Sequence, residues 1–277
     1  MNRWSVSVIP ILWTISVLLN LTTDAQAHSQ WKYLARGIEY GLFPIKQTTL
    51  IEEGEIHIVR IDPTQAELKL ILASEQGRKS RTAGEWCEEF NLAVAINAGM
   101  YGKDLLTNVG YLKNGSYIQN GHLNSKYKSV FAFGPKIKGL SPTIIIDLDE
   151  PNAMKLLGDY NVVIQNLRLM KSNGVNVWGM SERKWSEAAI GMDNQGRVLF
   201  LFCQSPLTMR EFNEAVNALG LGVTRMMHVE GGPIASLSIN TKEFSLDLTG
   251  NNGIPVNTND RKEVQFPIPN IIGVQVK

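Results

Sequence analysis

The stretch MMHVEGGPIASLSI, residues 226–239, places one carboxylate, Glu230, between an apolar run and a paired-glycine turn. Gly231 and Gly232 could simply turn the backbone at a strand end, with Glu230 pointing into water. Glycines also let backbone N–H groups approach a ligand, and a partly desolvated carboxylate beside them can do acid–base chemistry. The stretch therefore fits either a plain strand end or a small-ligand site.

Two other segments run from an apolar strand into polar or glycine residues in the same way. They are VAINAGMYG at residues 94–102 and VVIQNLRLM at residues 162–170. Ligand-binding groups often converge on loops at strand ends, because the strands hold them rigidly while their polar tips remain in a cleft. The sequence predicts that the three segments line one cleft, although three unrelated strand exits would give the same pattern.

Length and charge restrict the classes of function. The chain has 277 residues, which is enough for one large domain, and a formal net charge of +1. It contains no block of Lys and Arg that would attract a polyanion. We therefore predict no nucleic-acid partner.

The N-terminus has the parts of a secretory signal peptide. Arg3 precedes an apolar stretch from Trp4 to Leu21, and AQA follows at residues 25–27. A proline and several polar residues inside the apolar stretch argue against a permanent membrane helix, and an uncleaved anchor is the alternative. We expect cleavage near Ala27, no stable membrane insertion afterwards, and a periplasmic or secreted domain over residues 28–277.

The chain has two cysteines, Cys87 and Cys203. Export would permit a disulfide between them. Both lie in apolar patterns, however, where buried free thiols are at least as plausible. The sequence leaves both possibilities open.

Three segments predict short helices among many strands: TAGEWCEEFN, PNAMKLLGDY and TMREFNEAVNALG. In the last, Thr208 is a plausible N-cap with Glu211 three residues later, and Gly220 is a stop signal. Hairpin turns are predicted at Asn114-Gly115 and at Asp193 to Gly196, where Asp193 fits a turn residue better than a catalyst. No repeat or linker divides the mature chain, so we predict one α+β domain with a mixed β-sheet flanked by helices.

From about Gly54 to its end, the chain resembles the phosphodiester glycosidase family, which includes the lysosomal uncovering enzyme. Four segments carry the resemblance in the family's order: INAGMY, AAIGMDNQGRVLFLF, TMREFNEAVNALG and HVEGGPIAS. The chain departs from the family pattern at Ala98, Met100, Glu230 and Pro233, and Glu187 stands where an arginine is usual. These departures make it similar to a bacterial exported branch with a Glu-Gly-Gly-Pro signature.

The resemblance implies hydrolysis of the glycosidic bond of a sugar 1-phosphodiester, such as an N-acetylglucosamine 1-phosphodiester, or of a related glycan. A phosphate monoester leaves more easily than an alcohol, so one carboxylate acting as base or nucleophile could suffice. We predict Glu230 as that carboxylate and Arg168 as a bidentate phosphate ligand. The predicted substrate-binding residues are Asn97, Tyr101, Gln165, Asn166, Gly231, Gly232 and Ser236.

Several of these residues also have a structural interpretation. Arg168 could be a surface strand residue, Asn97 a turn cap and Tyr101 a core residue. His228 could lie beside Glu230 or face away from it. The alternative function is accordingly a non-catalytic glycan-binding or envelope-associated protein on the same scaffold.

No cofactor or metal ligand is predicted. The sequence has no cluster with zinc spacing and no Gly-rich phosphate loop. A divalent cation held by carboxylates and carbonyls would leave no compact motif, so the sequence does not exclude one.

Overall fold

Alternating apolar residues build the molecule mainly from β-strands. The structure, a computed structural model, describes residues 31–45, 54–251 and 265–277. The predicted signal peptide, residues 1–27, lies outside these residues. The strands are β1 (Trp31–Ala35), β2 (Ile38–Ile45), β3 (Gly54–Ile61), β4 (Ala66–Leu72), β5 (Val94–Asn97), β6 (Leu112–Asn114), β7 (Tyr117–Asn120), β8 (Ser129–Pro135), β9 (Thr143–Asp147), β10 (Tyr160–Asn166), β11 (Arg168–Lys171), β12 (Val175–Asn176), β13 (Trp185–Asp193), β14 (Val198–Leu207), β15 (Val223–Gly231), β16 (Ser236–Asn240), β17 (Ser245–Thr249) and β18 (Asn270–Val276).

The strands form three sheets. One has eight strands in the order β1-β2-β3-β14-β13-β15-β11-β12. The two five-stranded sheets have the orders β7-β6-β10-β8-β9 and β17-β16-β5-β18-β4. Every strand pair in the described part of the chain is antiparallel. The prediction of a single mixed sheet is therefore wrong. Antiparallel neighbours can be joined without the helical crossovers that parallel strands need.

The three predicted helices are present. They are α1 (Ala83–Phe90), α2 (Ala153–Asp159) and α3 (Met209–Ala218). Thr208 and Glu211 form the predicted capping box of α3, and Thr82 and Glu85 form another on α1. The helices are short and strands dominate, so the prediction of mixed helix and strand content is confirmed but the balance lies with the sheets.

The turn predicted at Asp193 is also confirmed. The Asp193 carboxylate accepts hydrogen bonds from the backbone N–H groups of Gln195 and Arg197, each at 2.9 Å. It also accepts one from Arg197 Nε at 2.6 Å. Asp193 thus holds the turn between β13 and β14, as expected of an aspartate at this position.

The largest hydrophobic cluster lies where the three sheets meet. It includes Ile190 of the eight-stranded sheet, Phe131 of the β8-containing sheet and Ile96 of the β5-containing sheet, all fully buried. Because all three sheets pack on this common core, the ends of β5, β10 and β15 come close together. No helix in the described ranges is long and apolar enough to span a bilayer.

Cys87 and Cys203 are both buried free thiols. They belong to different hydrophobic clusters, with Cys87 on α1 and Cys203 on β14. Burial raises the pKa of each thiol to about 12, with nearby carboxylates adding to the effect. Of the two possibilities left open by the sequence, the structure contains the free thiols.

Candidate active site

Glu230 lies near the end of β15 and is only 5% exposed. Its Oε1 accepts a hydrogen bond from the Gly231 backbone N–H at 3.0 Å, while its Oε2 is buried without a hydrogen-bond partner among the described residues. Burial raises the Glu230 pKa to about 7, opposed by the His228 charge and the Gly231 N–H and reinforced by the Glu187 charge. A buried carboxyl group with one unused oxygen has the properties of a reactive group rather than of a solvated strand end.

A β-bulge sets the direction of Glu230. Glu230 pairs with Ala188 and His228 pairs with Ala189, so Val229 is an extra residue in β15. Ala188 and Val229 belong to the central cluster between the sheets, whereas Ala189 packs in the cluster on the opposite face. The bulge therefore directs Glu230 towards the meeting point of the sheets and His228 away from it.

Asn97, at the end of β5, holds the turn that follows Glu230. Its Oδ1 accepts from the Ser236 backbone N–H at 2.7 Å, and its Nδ2 donates to the Ile234 carbonyl oxygen at 3.0 Å. The Ser236 hydroxyl donates to the same carbonyl at 3.2 Å. Both predicted substrate-binding residues thus lie in the site region, but their polar groups are used to fix the backbone after the Gly231-Gly232 pair.

Gln165, near the end of β10, is completely buried, and its four hydrogen bonds within the described ranges all go to backbone groups. Its Oε1 accepts from the N–H groups of Tyr111 and Asn124, each at 2.9 Å. Its Nε2 donates to the carbonyl oxygens of Asn124 at 2.8 Å and Tyr127 at 2.7 Å. Gln165 therefore anchors residues 124–127 rather than presenting a free amide to a sugar.

Asn166 connects β10 directly to the strand that carries Glu230. Its Nδ2 donates to the Val229 carbonyl oxygen at 3.3 Å, and its Oδ1 accepts from the Leu167 N–H at 2.8 Å. A Cβ atom at Gly99 would lie 2.5 Å from Asn108 Oδ1 and 3.4 Å from Asn166 Nδ2, so this backbone approach requires glycine. Asn108 Oδ1 is a second buried acceptor without a partner.

Tyr101 and Tyr127 lie within electrostatic range of Glu230. The pKa of each hydroxyl is raised, first by burial and then by the Glu230 charge. Tyr101 was predicted from the sequence, and its backbone forms an isolated antiparallel β-bridge with Asn108. Tyr127 was missed because it follows a polar loop with no strand-end pattern, and only the Gln165 contacts reveal why its position is fixed.

Arg168 lies at the start of β11, but its guanidinium group bonds to carboxylates other than Glu230. Its Nη1 donates to Asp147 Oδ1 and, at 2.9 Å, to Asp149 Oδ2. No ion pair joins it to Glu230 in the part of the chain that the structure describes. For Arg168 to bind a phosphate in the predicted way, it would have to leave these two carboxylates.

Glu187 and His228 form a buried pair that the sequence did not reveal. Glu187 Oε1 bonds to His228 Nδ1, and Glu187 Oε2 accepts from Trp185 Nε1 at 2.9 Å. Burial acts to lower the His228 pKa, but the charge and hydrogen bond of Glu187 outweigh it, together with the Glu230 charge, so that the pKa is raised. The pair lies between adjacent strands, a relation that no local sequence pattern encodes.

No cluster of three or more His, Cys, Asp or Glu side chains in the described ranges could hold a metal ion. Side-chain oxygens of the described residues that lack a partner in this region include Glu230 Oε2, Asn108 Oδ1 and Ser129 Oγ, the last on the residue that pairs with Asn166. These three oxygens fall short of the six to eight oxygen ligands of a calcium site.

Comparison with known proteins places the chain in a known family. A family model described as phosphodiester glycosidase matches residues 90–275. The chain thus belongs to the phosphodiester glycosidase family, which confirms the family predicted from the sequence. Comparison of the sequence with curated proteins gave no significant match.

Solved structures support the same fold. The zebrafish N-acetylglucosamine-1-phosphodiester alpha-N-acetylglucosaminidase catalytic domain, auto-inhibited by its pro-peptide, is similar with a TM-score of 0.61 at 11% identity. The match covers 88% of this chain and 87% of that one. A hypothetical protein from Synechocystis is similar with a TM-score of 0.58 at 13% identity, over 89% of this chain and 64% of that chain. At these identities the likeness concerns the fold alone.

Proposed function

We propose that the protein is an exported hydrolase that cleaves the glycosidic bond of a sugar 1-phosphodiester, of the N-acetylglucosamine 1-phosphodiester type, or of a related glycan. The observation that carries this proposal is Glu230: it is buried, its Oε2 lacks a partner, and burial raises its pKa to about 7. Membership in the family supports the substrate class. The signal peptide predicted for residues 1–27 supports a periplasmic or secreted location.

In the proposed reaction, Glu230 acts as a general base. Its Oε1 is held by the Gly231 N–H, which leaves Oε2 to take a proton from water. The water oxygen bonds to the anomeric carbon, while the bond from that carbon to the phosphate oxygen breaks and its electron pair leaves with the phosphate monoester. The proton then passes from Glu230 to solvent, so atoms and charge balance.

The remaining donors would serve the sugar and the leaving phosphate. We assign them to the hydroxyls of Tyr101 and Tyr127, which interact with the Glu230 charge, and to the backbone at Gly232. Gly232 has a φ of +69° and turns the chain directly beyond the carboxylate. Asn97, Gln165, Asn166 and Ser236 act in this proposal by positioning the backbone rather than by touching substrate.

A panel of synthetic sugar 1-phosphodiesters tests the proposal by release of free sugar. We expect turnover by the wild-type protein and loss of turnover in Glu230→Gln, which keeps the side-chain shape and the oxygen that accepts from Gly231. Glu214→Gln is the matched control, since Glu214 is a half-exposed carboxylate paired with Arg210 on α3. Binding without turnover, unchanged in Glu230→Gln, would instead identify a glycan-binding protein.

A further inference from the structure

Glu187 is a buried carboxylate beside the proposed site that the proposed reaction does not use. It is 1% exposed and lies directly opposite Gly231 in the pairing of β13 with β15. Both of its oxygens are bonded, one to His228 Nδ1 and the other to Trp185 Nε1. Burying such a charge is costly, so this placement calls for a role that an apolar residue could not fill.

The Trp185 ring rests on the backbone of Gly231. A Cβ atom at position 231 would lie 2.7 Å from Trp185 Cδ1 and 2.9 Å from Trp185 Nε1, which leaves no room for a side chain. The same Cβ atom would lie 3.4 Å from His228 Cε1. Gly231 is therefore packed against both of the groups that Glu187 bonds.

Gly231 in turn fixes the carboxyl group of Glu230. Its N–H donates to Glu230 Oε1 at 3.0 Å, and this is the contact that leaves Oε2 as the unpartnered oxygen. A shift of the Gly231 backbone would turn the carboxyl group and misdirect Oε2. The chain of contacts runs from Glu187 through Trp185 and Gly231 to Glu230.

We propose that Glu187 is a positioning residue: by holding Trp185 and His228 against Gly231, it keeps the Gly231 N–H on Glu230 Oε1 and directs Oε2 at the substrate. This inference rests on the proposed function for its kinetic consequence, but not for its structural one. The charged and titratable groups that interact with Glu187 are His228, Glu230 and the buried Cys203 thiol.

The first test is Glu187→Gln, which removes the charge but keeps an oxygen that can accept from Trp185. The His228 imidazole then loses its anionic partner, so its pKa should fall below that of the wild type, which the pH dependence of its nitrogen NMR shifts measures. Hydrogen exchange at the Gly231 amide should become faster. With a sugar 1-phosphodiester as substrate, kcat should fall by about tenfold or more while KM changes little.

The second test is Trp185→Phe, which keeps an aromatic ring over Gly231 but removes the Nε1 donor; it decides the question if Glu187→Gln fails to fold. Trp86→Phe is the matched control, because Trp86 donates from Nε1 to the Ile268 carbonyl oxygen at 3.0 Å in a different hydrophobic cluster. We expect faster Gly231 exchange and a lower kcat in Trp185→Phe, and neither change in Trp86→Phe.

The proposal is overturned if Gly231 exchange and kcat stay at wild-type values in the folded Glu187 or Trp185 variants while only stability falls, as in Trp86→Phe. Absence of turnover in the wild type would refute the proposed function alone, because the exchange measurement does not depend on activity. Faster exchange in that case would still support the positioning role.

Discussion

Burial of Glu230 makes its ionisation unfavourable to the fold. Its pKa rises from 4.5 to about 7 in the folded state, so the folded protein binds this proton more tightly than the unfolded chain does. The protonated Glu230 therefore stabilises the fold relative to the ionised form. This stabilisation is present in full below about pH 4.5 and is lost as the pH rises towards 7. At about pH 8 the ionised group costs roughly 3 kcal/mol, as an order of magnitude.

We therefore expect Glu230→Gln to raise the free energy of unfolding at about pH 8 by up to roughly 3 kcal/mol. The gain should disappear at about pH 4, where the wild-type carboxyl group is neutral in both states. Denaturant unfolding of both proteins at the two pH values measures this difference. A lower stability of Glu230→Gln at the higher pH would show that the protein stabilises the ionised carboxylate more than its surroundings indicate.

The same pKa gives the direction of the pH–rate profile. A general base must be ionised, so kcat/KM for a sugar 1-phosphodiester should rise with pH and level off above about 7. The substrate phosphodiester is ionised throughout this range and does not contribute to the slope. A profile that instead falls through pH 7 would assign Glu230 the role of an acid.

Strands carry the residues of the candidate site, and buried side-chain amides fix the loops between these strands. Gln165 of β10 satisfies four backbone groups in residues 111–127 and holds Tyr127 near Glu230. Gln165→Leu should leave these groups without partners and destabilise the protein by about 3 kcal/mol or more. It should also lower kcat, because Tyr127 loses its fixed position.

Gln265→Leu is the matched control for that experiment. Gln265 is also buried, accepts from the Gly84 N–H at 3.0 Å and donates to the Leu248 carbonyl oxygen at 2.9 Å, near α1 rather than near Glu230. Both variants should lose stability in denaturant unfolding, but only Gln165→Leu should lose kcat under conditions where both remain folded. Equal kcat values would leave Gln165 with a purely structural role.

Elements encoded by neighbouring residues were predictable from the sequence. The capping box of Thr208 and Glu211 and the Asp193 turn depend on hydrogen bonds across two to four residues, and both are present. The turn after β6 was predicted less well, since Gly115 has a φ of +61° as expected but Asn114 remains in the strand. Local patterns thus place the elements but not each dihedral angle.

The site was predictable only in outline. The strand-end pattern led to Glu230, Asn97 and Gln165, and the structure brings their strands together. The pattern could not show that the amides of Asn97 and Gln165 bond to backbone groups, because those partners lie 38 to 139 residues away in sequence. Tyr127 and Glu187 were missed for the same reason.

In the described part of the molecule, three antiparallel sheets meet on one core, and the candidate site lies where β5, β10 and β15 end. The mixed sheet was predicted wrongly because sheet order depends on pairs distant in sequence, such as Glu187 with Gly231. Alternation along a strand fixes which residues are buried but not which strand lies beside it. The bulge at Val229, which directs Glu230 into the core, is likewise visible only in the pairing.

The sheets also keep the two thiols apart. Cys87 packs in the cluster under α1 and Cys203 in the cluster between β14 and α3, and both are fully buried. Because burial raises each pKa to about 12, almost no thiolate forms at neutral pH, and the folded protein should not react with a thiol-specific disulfide reagent. Unfolding in denaturant should expose two reactive thiols per chain without added reductant. Detection of fewer than two thiols, restored by prior reduction, would mean that export oxidises the cysteines. The two hydrophobic clusters would then pack in a way that this fold does not accommodate.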